Sequence, residues 1–281
     1  MRRTRPRRNV QSMKRQRNTT SRKFCAICGL ILLIAGPGSL VGEPPPAAIS
    51  AFNTYVGILE ARLAQQHRSQ AGYLAPAGPD ADAKLRRGEF VVERLTPSST
   101  NLPGALLHHW RGTAFAPGAT AADFERLIRD FADYPRHFSP AVLKAKVLSQ
   151  EDDRLQAWMR VRQKHVITVV MDTTYDVSFG RLDSHRGYSI SRSTRIAEID
   201  LAGTASERAL TSSEEHGFLW RLNTYWTYEE RDGGLYMQIE SISLTRSIPR
   251  GLGWAVQPFI ESIPRESLEF TLQSTCNALR K

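Results

Sequence analysis

Residues 218–228 and 235–244 read as two strands joined by Glu229-Glu230-Arg231-Asp232-Gly233-Gly234. Asp-Gly between β-rich runs is the strongest short-range hairpin signal, because both central residues of a type I′ turn need positive φ. A two-residue turn at Asp232-Gly233 pairs Trp226 with Ile239 and Tyr225 with Glu240. One hairpin face then holds Trp220, Leu222, Thr224, Trp226, Tyr228, Met237 and Ile239, and the other Arg221, Asn223, Tyr225, Gln238 and Glu240. A turn one residue longer exchanges the faces. Arg221 and Glu240 are expected as a cross-strand pair on the outer face, worth little in solvent. Residues 252–279 are helical in character, but Pro258 and Pro264 are expected to bend them into a first segment and a regular helix carrying Leu268, Leu272, Thr275 and Leu279. A twisted sheet that ends in a long helix across its concave face encloses an apolar pocket.

Upstream, Ile49, Phe52, Val56, Leu59 and Leu63 recur at helical steps, an amphipathic helix expected to pack on the main domain. Strands are expected at 90–92 and 106–115. Thr120 caps a helix with Phe124, Leu127, Ile128 and Phe131 on its apolar stripe, and Tyr134-Pro135 ends it. Strands follow at 142–148 and 155–161. His165, Ile167, Val169, Met171, Thr173, Tyr175, Val177 and Phe179 then form the inward set of a long strand, which pairs with 187–199.

The charge of the chain is confined to one end. Ten of the 38 Lys and Arg lie between Arg2 and Lys23, and removing them leaves 28 basic against 28 acidic residues. A neutral body supplies no field for phosphate, so nucleic acid is not an expected partner. The basic stretch is followed by an apolar run at 24–35, shorter than the ~20 residues of a membrane span and laid out like a secretory signal. Export to a periplasmic or extracellular space is expected. Left uncleaved, the same run anchors the chain and brings its N-terminal segment to a membrane. Cys25 and Cys28 fall inside this run, which sets aside a redox or metal role for the pair, and cleavage leaves Cys276 as the only thiol. The chain thus divides into a leader at 1–42, a Pro-rich linker with the amphipathic helix at 43–84, and a ligand-binding domain at 85–281.

The order of these elements, Asp130-Phe131-Ala132-Asp133-Tyr134-Pro135 at the end of the capped helix, and Glu240-Ser241-Ile242-Ser243-Leu244-Thr245-Arg246-Ser247-Ile248-Pro249 before the last one resemble the START-related helix-grip superfamily. Its members include polyketide cyclases, lipid-transfer domains, coenzyme Q-binding proteins and plant pathogenesis-related proteins of the birch-allergen type. The resemblance runs from about Ala105 to the C-terminus. It implies an α+β fold, a curved antiparallel sheet wrapped around a long C-terminal helix over an apolar cavity, here with an extra N-terminal amphipathic helix. It does not imply catalysis.

No His-Glu-x-x-His, Gly-x-Ser-x-Gly, phosphate loop or dinucleotide fingerprint occurs, and no cofactor or metal is expected. Of His108 and His109, neighbours on a strand, one is expected inside and the other in solvent. The residues expected to touch a hydrophobic small molecule are His165, Met171 and Tyr175 on the long strand, Tyr188 and Arg192 on the next, Trp220, Trp226 and Ile239 on the hairpin, and Phe259 in the last helix. Arg192, if inward, needs a partner: a ligand head group or an internal Glu. Three functions remain in view: a non-catalytic carrier of a lipid- or quinone-like molecule, a cyclase or dehydratase using a cavity His or Glu, and an envelope interaction protein with a vestigial pocket. A cavity under about 300 Å³ would favour the last.

Overall fold

The computed structural model describes residues 42–280 apart from 70–71, 76–77, 79, 97–100, 165–167 and 248–252, with the backbone alone at 101 and 253–261. The leader, Cys25, Cys28 and His165 lie outside the described residues, as does the side chain of Phe259.

Helix α1 (Pro46–His67) opens on a proline, whose fixed φ suits a first turn, and is followed by the short α2 (Ala81–Arg86). The strands β1 (Val91–Arg94), β2 (Asn101–Leu102) and β3 (Ala105–Pro117) lead to α3 (Ala121–Arg129). Thr120 caps α3 in a reciprocal box: its hydroxyl accepts from the Asp123 N–H, and the Asp123 carboxylate accepts from the Thr120 N–H. A short 3₁₀ turn (Phe131–Asp133) and α4 (Tyr134–His137) follow. Then come β4 (Val142–Glu151), β5 (Arg154–Lys164), β6 (Thr168–Arg181), β7 (Arg186–Asp200), β8 (Arg208–Ala209), β9 (Arg221–Arg231), β10 (Gly234–Arg246) and α5 (Gly253–Leu279).

All strand pairings are antiparallel, in the order β1-β3-β10-β9-β7-β6-β5-β4, with β2 on β3 and β8 on β7. The β9–β10 hairpin turns on Asp232 and Gly233 with φ of 56° and 76°, and its register sets Trp226 opposite Ile239 and Tyr225 opposite Glu240, as the turn chemistry requires. Arg221 lies opposite Leu244, so the expected Arg221–Glu240 pair does not form. The last helix runs as one element from Gly253 through Pro258 and Pro264 to Leu279. A proline forfeits one helical bond, and here Leu268, Leu272, Cys276 and Leu279 anchor the remaining turns in the core.

Both faces of the sheet are covered. On one, α5 and α3 pack against Ala114, Ala116, Tyr175, Val177, Met237 and Ile239. On the other, Ala48, Phe52, Leu59 and Leu63 of α1 pack against Leu107, Trp220, Tyr225, Ile242 and Leu244. Gly112 on β3 permits the close approach of α5: a Cβ there would lie 2.7 Å from Leu272 Cδ1.

Candidate functional site

The sheet face under α5 is not filled. A cavity of about 280 Å³ lies between Leu222, Thr224, Trp226, Ile239 and Ser241 on β9 and β10, Ser189 and Ser191 on β7, Met159, Tyr175 and Val177 on β5 and β6, and Ile263, Ser267, Leu268, Thr271 and Thr275 on α5. Three aromatic rings line it together, Phe131 stacked on Tyr134 at 4.4 Å and Phe138 tilted against Tyr134 at 4.9 Å between ring centroids. The phenol of Tyr134 is fixed by donating to the Ile128 carbonyl at 3.1 Å. Trp226 is held edge-on against Phe124 at 5.2 Å. An adjoining space of about 370 Å³ shares Phe138, Met159, Tyr175, Leu222 and Ser267, and reaches Arg162, Lys164, Met171 and Glu266 at its outer rim.

Among the described residues that line the inner cavity there is no Asp, Glu, His, Lys or Arg. Burial pushes the Tyr175 phenol up to about 12 and raises that of Tyr134, so both stay neutral. The polar complement is hydroxyls and the Gln163 amide, which donates to Ser267 Oγ at 3.1 Å. Ser191 pairs with Thr224 and Thr224 with Ser241, which sets three hydroxyls in a row across three neighbouring strands. Trp110, opposite Ser241, ends the row with an indole Nε1 that is buried without a partner. Phe218 and Leu219 close the rim, positioned by a buried Glu198 that accepts from the backbone N–H groups of His216, Gly217 and Phe218 at 3.0, 3.0 and 3.1 Å. Sequence reasoning missed this loop anchor, since Glu198 reads as an ordinary strand carboxylate.

Of the expected ligand contacts, Tyr175, Trp226 and Ile239 line the inner cavity and Met171 the outer space. Three others face α1 instead. Tyr188 stacks on His67 at 4.3 Å, and Arg192 donates to Glu60 at 2.7 Å, the internal carboxylate rather than a ligand head group. The cause is register: Ser189 opposite Trp226 and Ser191 opposite Thr224 turn the small residues of β7 to the cavity and the large ones outward. Trp220 precedes the first paired residue of β9 and escapes its alternation; it lies under α1, its indole N–H donating to the Gly42 carbonyl at 2.9 Å.

The second polar cluster of the domain also lies under α1. Glu240, its side chain 3% exposed, accepts from His109 Nε2 at 2.8 Å and from Arg62 at 2.5 Å, and Tyr55 hydrogen-bonds His109 Nδ1 at 2.9 Å. A carboxylate only accepts, so Nε2 carries the proton and, in the neutral ring, Nδ1 accepts from the Tyr55 hydroxyl. Burial pushes the Glu240 carboxyl up, but the His109 hydrogen bond and the Arg62 guanidinium outweigh it and hold it below the ordinary glutamate value. Its Oε1 is buried and unpartnered. Both His108 and His109 are buried, against the expectation that one meets solvent, because each sheet face carries a helix.

A curved sheet, a long C-terminal helix across one face and a cavity between them decide the fold. This is a helix-grip fold. No protein-family model and no curated protein matches the chain. Among solved structures it is similar to a Thermus thermophilus protein at 12% identity, covering 60% of this chain and 94% of that one, with a TM-score of 0.44. An aromatase/cyclase from a Streptomyces species aligns at 13% identity over 61% of this chain and 93% of its own, TM-score 0.42. A STAR-related lipid transfer protein fragment from Xanthomonas axonopodis aligns at 15% identity over 65% and 98%, TM-score 0.37. Such distant likenesses bear on neither ligand nor chemistry.

Proposed function

We propose that the protein is an exported, non-catalytic binding protein for a hydrophobic or amphipathic small molecule held between the sheet and α5. The observation that carries this reading is the lining of the inner cavity: aromatic and aliphatic walls with a few hydroxyls and, among the described residues, no ionisable acid or base near neutrality. An acid–base enzyme needs a titrating group within reach of substrate. The His109–Glu240 pair that resembles one is on the opposite face, sealed under α1. The inner volume of about 280 Å³ falls just below the ~300 Å³ at which ligand cavities ordinarily begin, the size expected of a vestigial pocket, and a second space of about 370 Å³ shares part of its lining.

Trp226 is the reporter. An apolar ligand is expected to shift or quench tryptophan fluorescence, and Trp226→Ala to weaken that binding. The truncation also costs about 3–5 kcal/mol of stability if the ring is only core, so denaturation is measured in parallel. Unchanged affinity in a folded Trp226→Ala variant removes the residue from the site. Export rests on the basic leader and apolar run, and full-length protein recovered from the cytosolic fraction would sink it. The body left after the leader carries 28 basic and 28 acidic residues, so no retarded nucleic-acid band is expected at physiological salt.

A further inference from the structure

The inner cavity holds more polar oxygen than packing requires. Ser191, Thr224 and Ser241 stand side by side on the pleat of β7, β9 and β10, at the strand spacing of about 4.8 Å. Among the described residues no other side chain hydrogen-bonds any of the three hydroxyls. From the roof comes a fourth. Thr275 is 1% exposed, lines the cavity, and its Oγ1 is buried without a partner. A helical threonine ordinarily satisfies its hydroxyl on the carbonyl four residues back. Thr271, one turn earlier, does so on Ser267 at 2.8 Å, and Thr275 does not.

A buried hydroxyl left unpaired, as at Thr275, is rare in folded proteins, and the part-buried hydroxyls of the row, like it, can each donate and accept. A molecule seated here satisfies them with a carbonyl, ester or hydroxyl oxygen. A carboxylate or phosphate in the same place meets no cation among the described residues that line it, Arg162 and Lys164 lining only the outer space, and an unpaired buried charge is strongly disfavoured. The volume, about 280 Å³ at the row itself, admits one ring system or one chain, not a pair of acyl chains.

We propose that the inner cavity selects an uncharged, oxygen-bearing hydrophobe, its ketone, ester or hydroxyl oxygen held by the Ser191–Thr224–Ser241 row with Thr275 closing from α5. This rests on the binding reading above and narrows its ligand class.

The test is calorimetric titration of the full chain at pH 8 with four probes of one chain length: methyl heptyl ketone, nonyl alcohol, nonane and nonanoate. Ketone and alcohol are expected to bind about tenfold or more tightly than nonane and nonanoate, a margin of about 1.4 kcal/mol. The variant Ser191→Ala/Thr224→Val/Ser241→Ala is expected to bring the ketone down to the affinity of nonane while leaving nonane unchanged. Thr224→Val alone, which keeps the side-chain shape, is expected to move the ketone in the same direction and serves if the triple variant does not fold. Nonanoate binding as tightly as the ketone, or a ketone preference that survives the hydroxyl deletions, overturns the inference while leaving a binding cavity in place. Failure of all four probes, nonane included, overturns the binding reading itself.

Discussion

Replacing His109 by Leu isolates what the buried carboxylate under α1 costs. Glu240 has two partners for one of its oxygens, His109 at 2.8 Å and Arg62 at 2.5 Å, and none for the other. The Arg62 side chain is 41% exposed and already shares its charge with water. Without the imidazole, the carboxylate stays in the interior with one weak partner. Removing a hydrogen-bond donor from a buried carboxylate costs about 1.5–3 kcal/mol, which in a domain of this size lowers the melting temperature by roughly 3–12 °C. Replacing both members with apolar side chains, His109→Leu with Glu240→Met, removes the stranded charge and is expected to recover at least half of the loss. Urea denaturation of the wild type, both single variants and the double variant closes the cycle. If the double variant is as unstable as His109→Leu alone, the loss comes from disturbed packing beneath α1 and not from an unpaired carboxylate. A single-variant loss below about 1 kcal/mol would refute the burial argument as well.

Acid is expected to loosen the same face. Burial, with the Arg62 charge, lowers His67 from 6.5 to about 4, so the unfolded chain binds a proton that the folded one refuses over that interval. Stability is therefore full above pH 6.5 and falls as pH drops towards 4, by about 1–2 kcal/mol after screening, and His67→Phe flattens that part of the profile. The Glu240 carboxyl, held below its ordinary value, adds stability that is present above pH 4.5 and lost as pH falls through its folded value. Burial pushes the Cys276 thiol up to about 11, so iodoacetamide at pH 8 should label the Cys276 peptide only when the protein is unfolded; rapid labelling of native protein would contradict its place in the core. Thr120→Ala removes the cap and one arm of the box on α3 and is expected to cost about 1 kcal/mol by chemical denaturation, with Thr120→Ser restoring most of it.

Local chemistry determined a good part of this molecule directly from the chain. The Asp232-Gly233 dipeptide sets a turn and, through it, the pairing of every residue in the last hairpin; Thr120 and Asp123 start a helix; the odd-numbered residues from Met171 to Phe179 are buried as their alternation requires. The order of these elements sufficed for the fold and for the aromatic cavity wall at Trp226. What alternation cannot express is which face meets which helix. It separates Tyr188, Ile190 and Arg192 from Ser189 and Ser191, but both sets are covered, one by α1 and the other by α5, so neither is marked by polarity as the outside. The same ambiguity made Glu240 read as a solvent-facing residue. Its burial depends on His109 and Arg62, 131 and 178 positions away in the chain. The hydroxyl row is likewise a product of register across three strands: serine and threonine on separate segments carry no signal in sequence, and only the sheet sets them side by side beneath Thr275.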